Sequence, residues 1–156
     1  MHECTNCQEY GFSFNRAYRP DEFIEGKQDS IIWIVGLNPA ADFNWRDERS
    51  TGDLEVYFDQ KNSVHSYFRD FRSVSPLLFD LLGTAKGAAH TDIVKCSSRS
   101  FPPPGVTGKQ IETVITSCKV FLEKQIRTHK PKIIVCNGAR VSLFMLEFLP
   151  PPLAGC

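Results

Sequence analysis

Five apolar residues, Ile31-Ile32-Trp33-Ile34-Val35, run without a charge into Gly36-Leu37-Asn38-Pro39-Ala40. A short apolar run bounded by turn residues is the pattern of a strand buried on both faces. Gly36 and Pro39 set a tight turn at its carboxyl end. Ligands of open α/β sheets bind at that edge, so the turn delivers one polar side chain, Asn38, to the place where a site is expected. Capping the turn is the other role open to Asn38.

The rest of the chain reads as elements of both periods. Residues 1–30 show little periodicity and several aromatics, among them Tyr10, Phe12, Phe14, Tyr18 and Phe23. Residues 40–62 read as a long charged loop, a length that more often serves function than decoration. Val64, Phe68, Phe71, Val74, Leu78 and Leu82 fall near a 3.6-residue period, which predicts a helix over 63–82 broken or kinked at Pro76. Residues 88–96 read as a second strand, and Ser97–Gly105, with Pro102-Pro103-Pro104, as a loop. Thr107 is placed to cap a helix over about 108–129, whose Ile111, Val114, Ile115, Cys118, Phe121, Leu122 and Ile126 form one stripe. A third short buried strand over 133–136 and a helix over 139–148, stopped by Pro150-Pro151-Pro152, complete the pattern. Strands alternating with helices predict an α/β fold with a parallel sheet covered on both faces.

Composition keeps this picture ordinary. With 156 residues, 42% hydrophobic and 23% charged, the chain reads as one domain spanning 1–156. No apolar leader follows Met1 and no apolar run approaches a membrane span, so a cytoplasmic, non-membrane protein is expected. The formal net charge is zero, but it is unevenly spread. Residues 1–85 hold 8 Lys/Arg against 14 Asp/Glu, and residues 86–140 hold 10 against 3. This asymmetry suits a local anion-binding face; solvated helix surfaces are the alternative. Lys95 and Arg99, in and beside the Pro-rich loop, are the candidates to meet phosphates.

Six cysteines in a chain read as cytoplasmic point to ligands or free thiols before disulfides. Cys4-x-x-Cys7 has the spacing of a metal-ligand pair. Cys96 and Cys118 fall at a strand end and in a helix. Four thiolates can hold tetrahedral zinc or an iron–sulfur cluster. Cys118 also fits a small core position, as does Cys136, and Cys156 reads as a terminal thiol.

Four pieces in one order carry a resemblance. Gly36-Leu37-Asn38-Pro39-Ala40 resembles the first motif of the uracil-DNA glycosylase superfamily. Thr91-Asp92-Ile93-Val94-Lys95-Cys96 resembles the Thr-Asn-x-Val-Lys-Cys strand of its iron–sulfur branch. Ser117-Cys118-Lys119-Val120-Phe121-Leu122 and Lys130-Pro131-Lys132-Ile133-Ile134-Val135 are similar to a later segment of that branch, and Cys4-x-x-Cys7 to its amino-terminal ligand pair. The resemblance implies a three-layer α/β/α sandwich and a 4Fe–4S cluster on Cys4, Cys7, Cys96 and Cys118, with zinc second. It implies a monomeric enzyme of base excision repair that hydrolyses the N-glycosidic bond of a flipped-out base, foremost uracil, in single- or double-stranded DNA. A non-catalytic nucleic-acid-binding or redox iron–sulfur protein on the same scaffold is the alternative.

Residue by residue, the resemblance makes Asn38 the group that positions the attacking water. Gly36 and Leu37 would hold the base through backbone N–H groups, and Phe58 (or Tyr57) would stack on it. Asp42 and Asp53 are alternative water-activating acids, since Thr51-Gly52-Asp53 is similar to part of another branch; each also fits a solvated loop. Two departures stand out. Asp92 replaces the uracil-reading Asn of the family, and an ionised carboxylate only accepts hydrogen bonds where an amide does both. This predicts altered base choice unless Asp92 is protonated. The family's His-Pro-Ser motif is not found in this sequence. Losing one preorganised donor to developing charge costs roughly 10²–10³ in rate.

Overall fold

A computed structural model describes residues 2–39 and 46–148. Along these residues run β1 (His2–Cys4), β2 (Phe14–Arg16), β3 (Ile32–Gly36), β4 (Arg46–Asp47), α1 (Thr51–Glu55), α2 (Ser66–Val74), α3 (Pro76–Leu81), β5 (Ala88–Asp92), α4 (Gly108–His129), β6 (Ile133–Cys136) and α5 (Ala139–Phe148). The three apolar strands form a parallel sheet in the order β5-β3-β6. Ile34 stands opposite His90 and Val135, and Gly36 opposite Asp92. A second small sheet joins β1 and β2 antiparallel and β2 and β4 parallel.

The central strand behaves as its apolar run predicts. Trp33, Ile34 and Val35 are fully buried. Successive side chains take opposite faces. Val35 packs with Ile111, Val114, Ile115 and Leu122 of α4 and with Val141 and Met145 of α5. Ile34 packs with Phe68 and Phe71 of α2, Phe79 of α3 and Ala88 of β5. Residues of α4 and α5 thus share one apolar cluster with Val35, and residues of α2 and α3 another with Ile34. Helix α4 starts as expected: the Thr107 hydroxyl accepts from the Gln110 N–H, and Gln110 returns the contact to the Thr107 N–H at 2.8 Å. It ends where Lys130 turns left-handed ahead of Pro131.

Several predicted elements differ. The 63–82 helix is two helices, because Ser75 turns extended and caps α3 through its hydroxyl while Pro76 takes the first helical position. The 40–62 loop contains β4 and the short helix α1. Strand β5 stops at Asp92; Ile93 and Val94 instead donate their N–H groups to the Gly36 and Leu37 carbonyls at 3.0 and 2.9 Å. β6, expected to be buried, pairs only with β3 among the described residues and leaves Ile133 52% exposed. The irregular amino-terminal segment is held by its aromatics: Phe12, Phe14, Tyr18 and Phe23 are buried, and the last two stack at 5.8 Å. No described helix is long and apolar enough to cross a membrane.

The contrast between β3 and β6 is measurable. Ile34→Ala removes a fully buried side chain and costs about 2–5 kcal/mol of stability. Ile133→Thr, on the open edge, stays within about 0.5 kcal/mol. Urea unfolding midpoints of the two variants check both.

Candidate functional site

The parallel register places Gly36 and Asp92 side by side at the carboxyl edge of the sheet. Asp92 leans over Gly36: a Cβ at residue 36 would stand 2.2 Å from Asp92 Oδ1, 3.0 Å from His90 Nε2 and 3.2 Å from the Tyr67 hydroxyl. Glycine is required here by this close approach, not by an unusual backbone angle. His90 and Asp92 are two residues apart on β5 and share a face. Both are almost wholly buried, at 5% and 2% exposure. His90 Nδ1 lies 3.0 Å from Glu25 Oε2, and Glu25 Oε1 lies 3.3 Å from Arg49 Nη1. His90 Nε2 lies 3.6 Å from Asp92 Oδ1. Glu25 reaches this position because its backbone exchanges two hydrogen bonds with that of His90, at 2.9 and 2.8 Å. The Tyr67 hydroxyl accepts from Asn137 Nδ2 at 2.6 Å.

Burial pushes the Asp92 carboxyl up to about 6, with the Glu25 charge adding to it and His90 and Lys95 opposing. Burial lowers His90, but the facing charges of Asp92 and Glu25 and the Glu25 hydrogen bond outweigh it and raise it. Burial also raises the Tyr67 phenol, helped by the Asp92 charge. His90 Nε2 and Asp92 Oδ2 are buried without a hydrogen-bond partner in the described structure. Such orphaned groups cost about 1–3 kcal/mol each and call for a partner.

Asn38 stands half-buried beyond the same edge. Its Nδ2 donates to the Ser98 hydroxyl and the Pro39 carbonyl, both at 3.1 Å. Leu37 is half-buried against the α4 and α5 side of the core. The other expected site residues are placed elsewhere. Asp53 caps α1: one carboxylate oxygen accepts from the Ser50 N–H and hydroxyl, both at 2.7 Å. A residue spent on a helix start is not an acid at the sheet edge. Phe58 is 2% exposed inside the core, edge-on to Phe68 at 4.9 Å, and offers no free face to a base. Tyr57 takes the His65 N–H on its hydroxyl under the Arg49 guanidinium. Asp42 lies outside the described residues.

The two basic candidates part company. Lys95 is 1% exposed, and its ammonium donates to Thr91 Oγ1 and Gln125 Oε1, both at 2.7 Å, and to the Asp92 carbonyl. Its charge stays inside, where burial pulls it down to about 7, so it does not meet a phosphate. Arg99 is exposed and lines a cleft of about 370 Å³ with Glu9, Tyr10, Pro103 and Gln110.

Cys4, Cys7, Cys96 and Cys118 come from β1, the turn after it, the turn after β5, and α4. Cys7, Cys96 and Cys118 are buried and Cys4 is half-buried. The thiols of Cys7 and Cys96 both lie within hydrogen-bond reach of Cys118, which raises both of them and lowers Cys118 to about 3; Cys4 acts on both by its charge. No described set of three His, Cys, Asp or Glu side chains stands in a metal-holding arrangement as it is. The shared hydrogen bonds bring three sulfurs together, with Cys4 near enough to act on two of them by charge; they do not establish a metal. The donor set of soft sulfurs fits a thiophilic ion or an iron–sulfur cluster. Cys136, half-buried on β6, lies apart from them in the chain and is raised by burial.

Tyr67, Glu25 and His90 were not singled out from the sequence. His90 could have been, since its two-residue spacing from Asp92 on a strand puts both on one face. Glu25 and Tyr67 are long-range partners without a local signal. Comparison with models of known protein families finds no match, and comparison with curated proteins finds none either.

The buried pair has a stability signature. A carboxyl raised from 3.8 to about 6 costs nothing well below 3.8, where both folded and unfolded forms are protonated; its penalty starts near pH 4 and grows as pH rises to about 6. A raised His90 likewise stabilises at low pH and loses that contribution as pH rises through its folded value. Asp92→Asn therefore stabilises relative to wild type by on the order of 2 kcal/mol at pH 8, and the gain vanishes near pH 4. Thermal unfolding across that range checks it.

Proposed function

We infer that the chain is a DNA glycosylase that hydrolyses the N-glycosidic bond of a flipped-out base, uracil before others, on a single three-layer α/β/α domain. The observation that supports this reading is the pairing of Gly36 with Asp92 at the sheet edge that Asn38 follows, next to a turn whose Cys96 reaches Cys7 and Cys118. The protein would act as a cytoplasmic monomer on DNA, without a membrane.

The chemistry asks for a held base, a directed water and stabilised charge. A base in duplex DNA must leave the stack to be reached. At this edge Asp92 would read its rim, and Tyr67 is the aromatic side chain in the place expected of Phe58. With Nδ2 tied to Ser98 and Pro39, Asn38 offers Oδ1 as the acceptor that orients a water towards the sugar carbon. Departure of the base gives the sugar oxocarbenium character, so holding that water ready lowers the barrier. A 4Fe–4S cluster on Cys4, Cys7, Cys96 and Cys118, with zinc as second choice, supplies a structural cross-link when bound. Those residues would tie the amino-terminal segment to the β5 turn and α4, and the neighbouring Arg99 would take a phosphate. Contacts of that kind position a strand without reading it.

A second reading, a nucleic-acid-binding iron–sulfur protein without catalysis, is favoured by the commitment of Asp53 to a helix cap and of Phe58 to the core.

Release of uracil from a labelled single-stranded oligonucleotide by anaerobically purified protein, with an all-cytosine control, separates the two. Uracil release is expected, and Asn38→Ala lowers its rate by roughly 10²–10³. Salt-dependent binding with no release in folded wild-type protein overturns the enzyme in favour of the binder. Cys118→Ser is expected to lower bound iron (or zinc) and the melting temperature together; unchanged metal content would remove the cysteine assignment.

A further inference from the structure

The pair behind Gly36 is built in a way that base reading alone does not call for. We propose that His90 sets the specificity of the site: by facing Asp92 Oδ1 with its Nε2 edge across 3.6 Å, it favours Oδ2 for any proton that Asp92 takes, so that this oxygen changes from acceptor to donor. The proposal rests on the glycosylase reading and names what selects its base.

The geometry fixes each partner. His90 Nδ1 faces Glu25 Oε2 at 3.0 Å, and Glu25 is itself held by Arg49. A carboxylate at Nδ1 keeps a proton there. A second proton on the ring can only sit on Nε2, which points at Asp92 Oδ1 across 3.6 Å. Oδ1 is also the oxygen pressed against Gly36, where a Cβ would stand 2.2 Å away. Oδ2 is the one left buried and unpartnered. With Asp92 ionised and His90 charged, Oδ2 accepts. When Asp92 gains a proton from solvent, Oδ1 stays turned to the charged His90 ring, and Oδ2–H donates.

The groups facing this pair act in known directions. His90 and Lys95 favour the ionised Asp92, while burial and Glu25 favour the neutral acid, which brings the change near pH 6. Tyr67 faces it from α2 as a neutral phenol, raised by burial. Around His90 stand Asp92, Glu25 and Lys95, with the rings of Phe23, Phe68 and Tyr67 as walls.

Bases differ in the complementary sense. At the position opposite such an oxygen, uracil presents the O4 acceptor and cytosine the N4 amino donor. A donating Oδ2 selects uracil. An accepting Oδ2 loses that preference, because O4 then meets an unpaired oxygen. His90 acts only through Asp92 and is a positioning residue.

The test uses single-stranded oligonucleotides with one uncleavable 2′-fluoro-arabino uridine or cytidine, and an all-thymine control. Affinity is measured by fluorescence anisotropy from pH 5 to 8. Wild type is expected to lose about tenfold of its uracil preference as pH rises through about 6. Asp92→Asn keeps the preference at every pH. His90→Gln removes a charge that favours ionised Asp92, so its transition moves to higher pH; a purely structural histidine would leave the midpoint in place. Uracil preferred by wild type at every pH, or a midpoint unmoved in His90→Gln, overturns the proposal and leaves the glycosylase reading standing. Affinity for both probes no greater than for the thymine control overturns the reading itself, and the proposal with it.

Discussion

The arrangement depends on one contact, the in-register pairing of β3 with β5 that sets Gly36 against Asp92. A parallel pair fixes which residues share a level, and a slip of one residue would turn His90 and Asp92 to the opposite face. The pairing is secured from both sides. Val35 and Ile34 anchor β3 in separate apolar clusters, and the Ile93 and Val94 N–H groups continue the ladder onto Gly36 and Leu37 after β5 has ended. Only a residue without a Cβ fits beneath the Asp92 carboxylate, so strand register and site chemistry are one constraint.

The turn after Asp92 links this edge to the sulfur cluster. Lys95 folds its ammonium back onto Thr91, Gln125 and the Asp92 carbonyl, which presents Cys96 towards Cys7 and Cys118. Thr91 meanwhile donates to the Phe23 carbonyl at 2.7 Å, and Gln125 donates to the same carbonyl at 2.8 Å. The amino-terminal segment is thus fastened by hydrogen bonds, by its own aromatics and by sulfur. A buried lysine that neutralises neighbouring charge while bracing a turn explains why a basic residue in a suggestive motif is absent from the surface.

Much of the fold was legible because strong local patterns coincide with tertiary demands. The 31–36 run is apolar throughout because Val35 and Ile34 enter separate apolar clusters, and Thr107 begins α4 because its side chain finds the Gln110 N–H. Short motifs indicated the sheet edge where Gly36 lies against Asp92 and the thiols of Cys7, Cys96 and Cys118 that lie within reach of one another. The site was not legible where partners are distant or where a residue type serves several purposes. Glu25 meets His90 across 65 residues. Asp53 reads as a loop acid until Ser50 claims it, and Phe58 as a platform until Phe68, Tyr57 and Gly83 close around it. β6 looked internal because its residues are apolar; its place in the strand order, which composition does not encode, makes it an edge among the described residues.

The central claim is that a base is held at the Gly36–Asp92 edge and not in the Arg99 cleft, and photochemical crosslinking reads location directly. A single-stranded oligonucleotide carrying one 5-iodouracil, irradiated with the protein and analysed by peptide mass spectrometry, is predicted to label the peptides containing Tyr67 or His90. Labelling confined to Tyr10, at the cleft, would contradict the account.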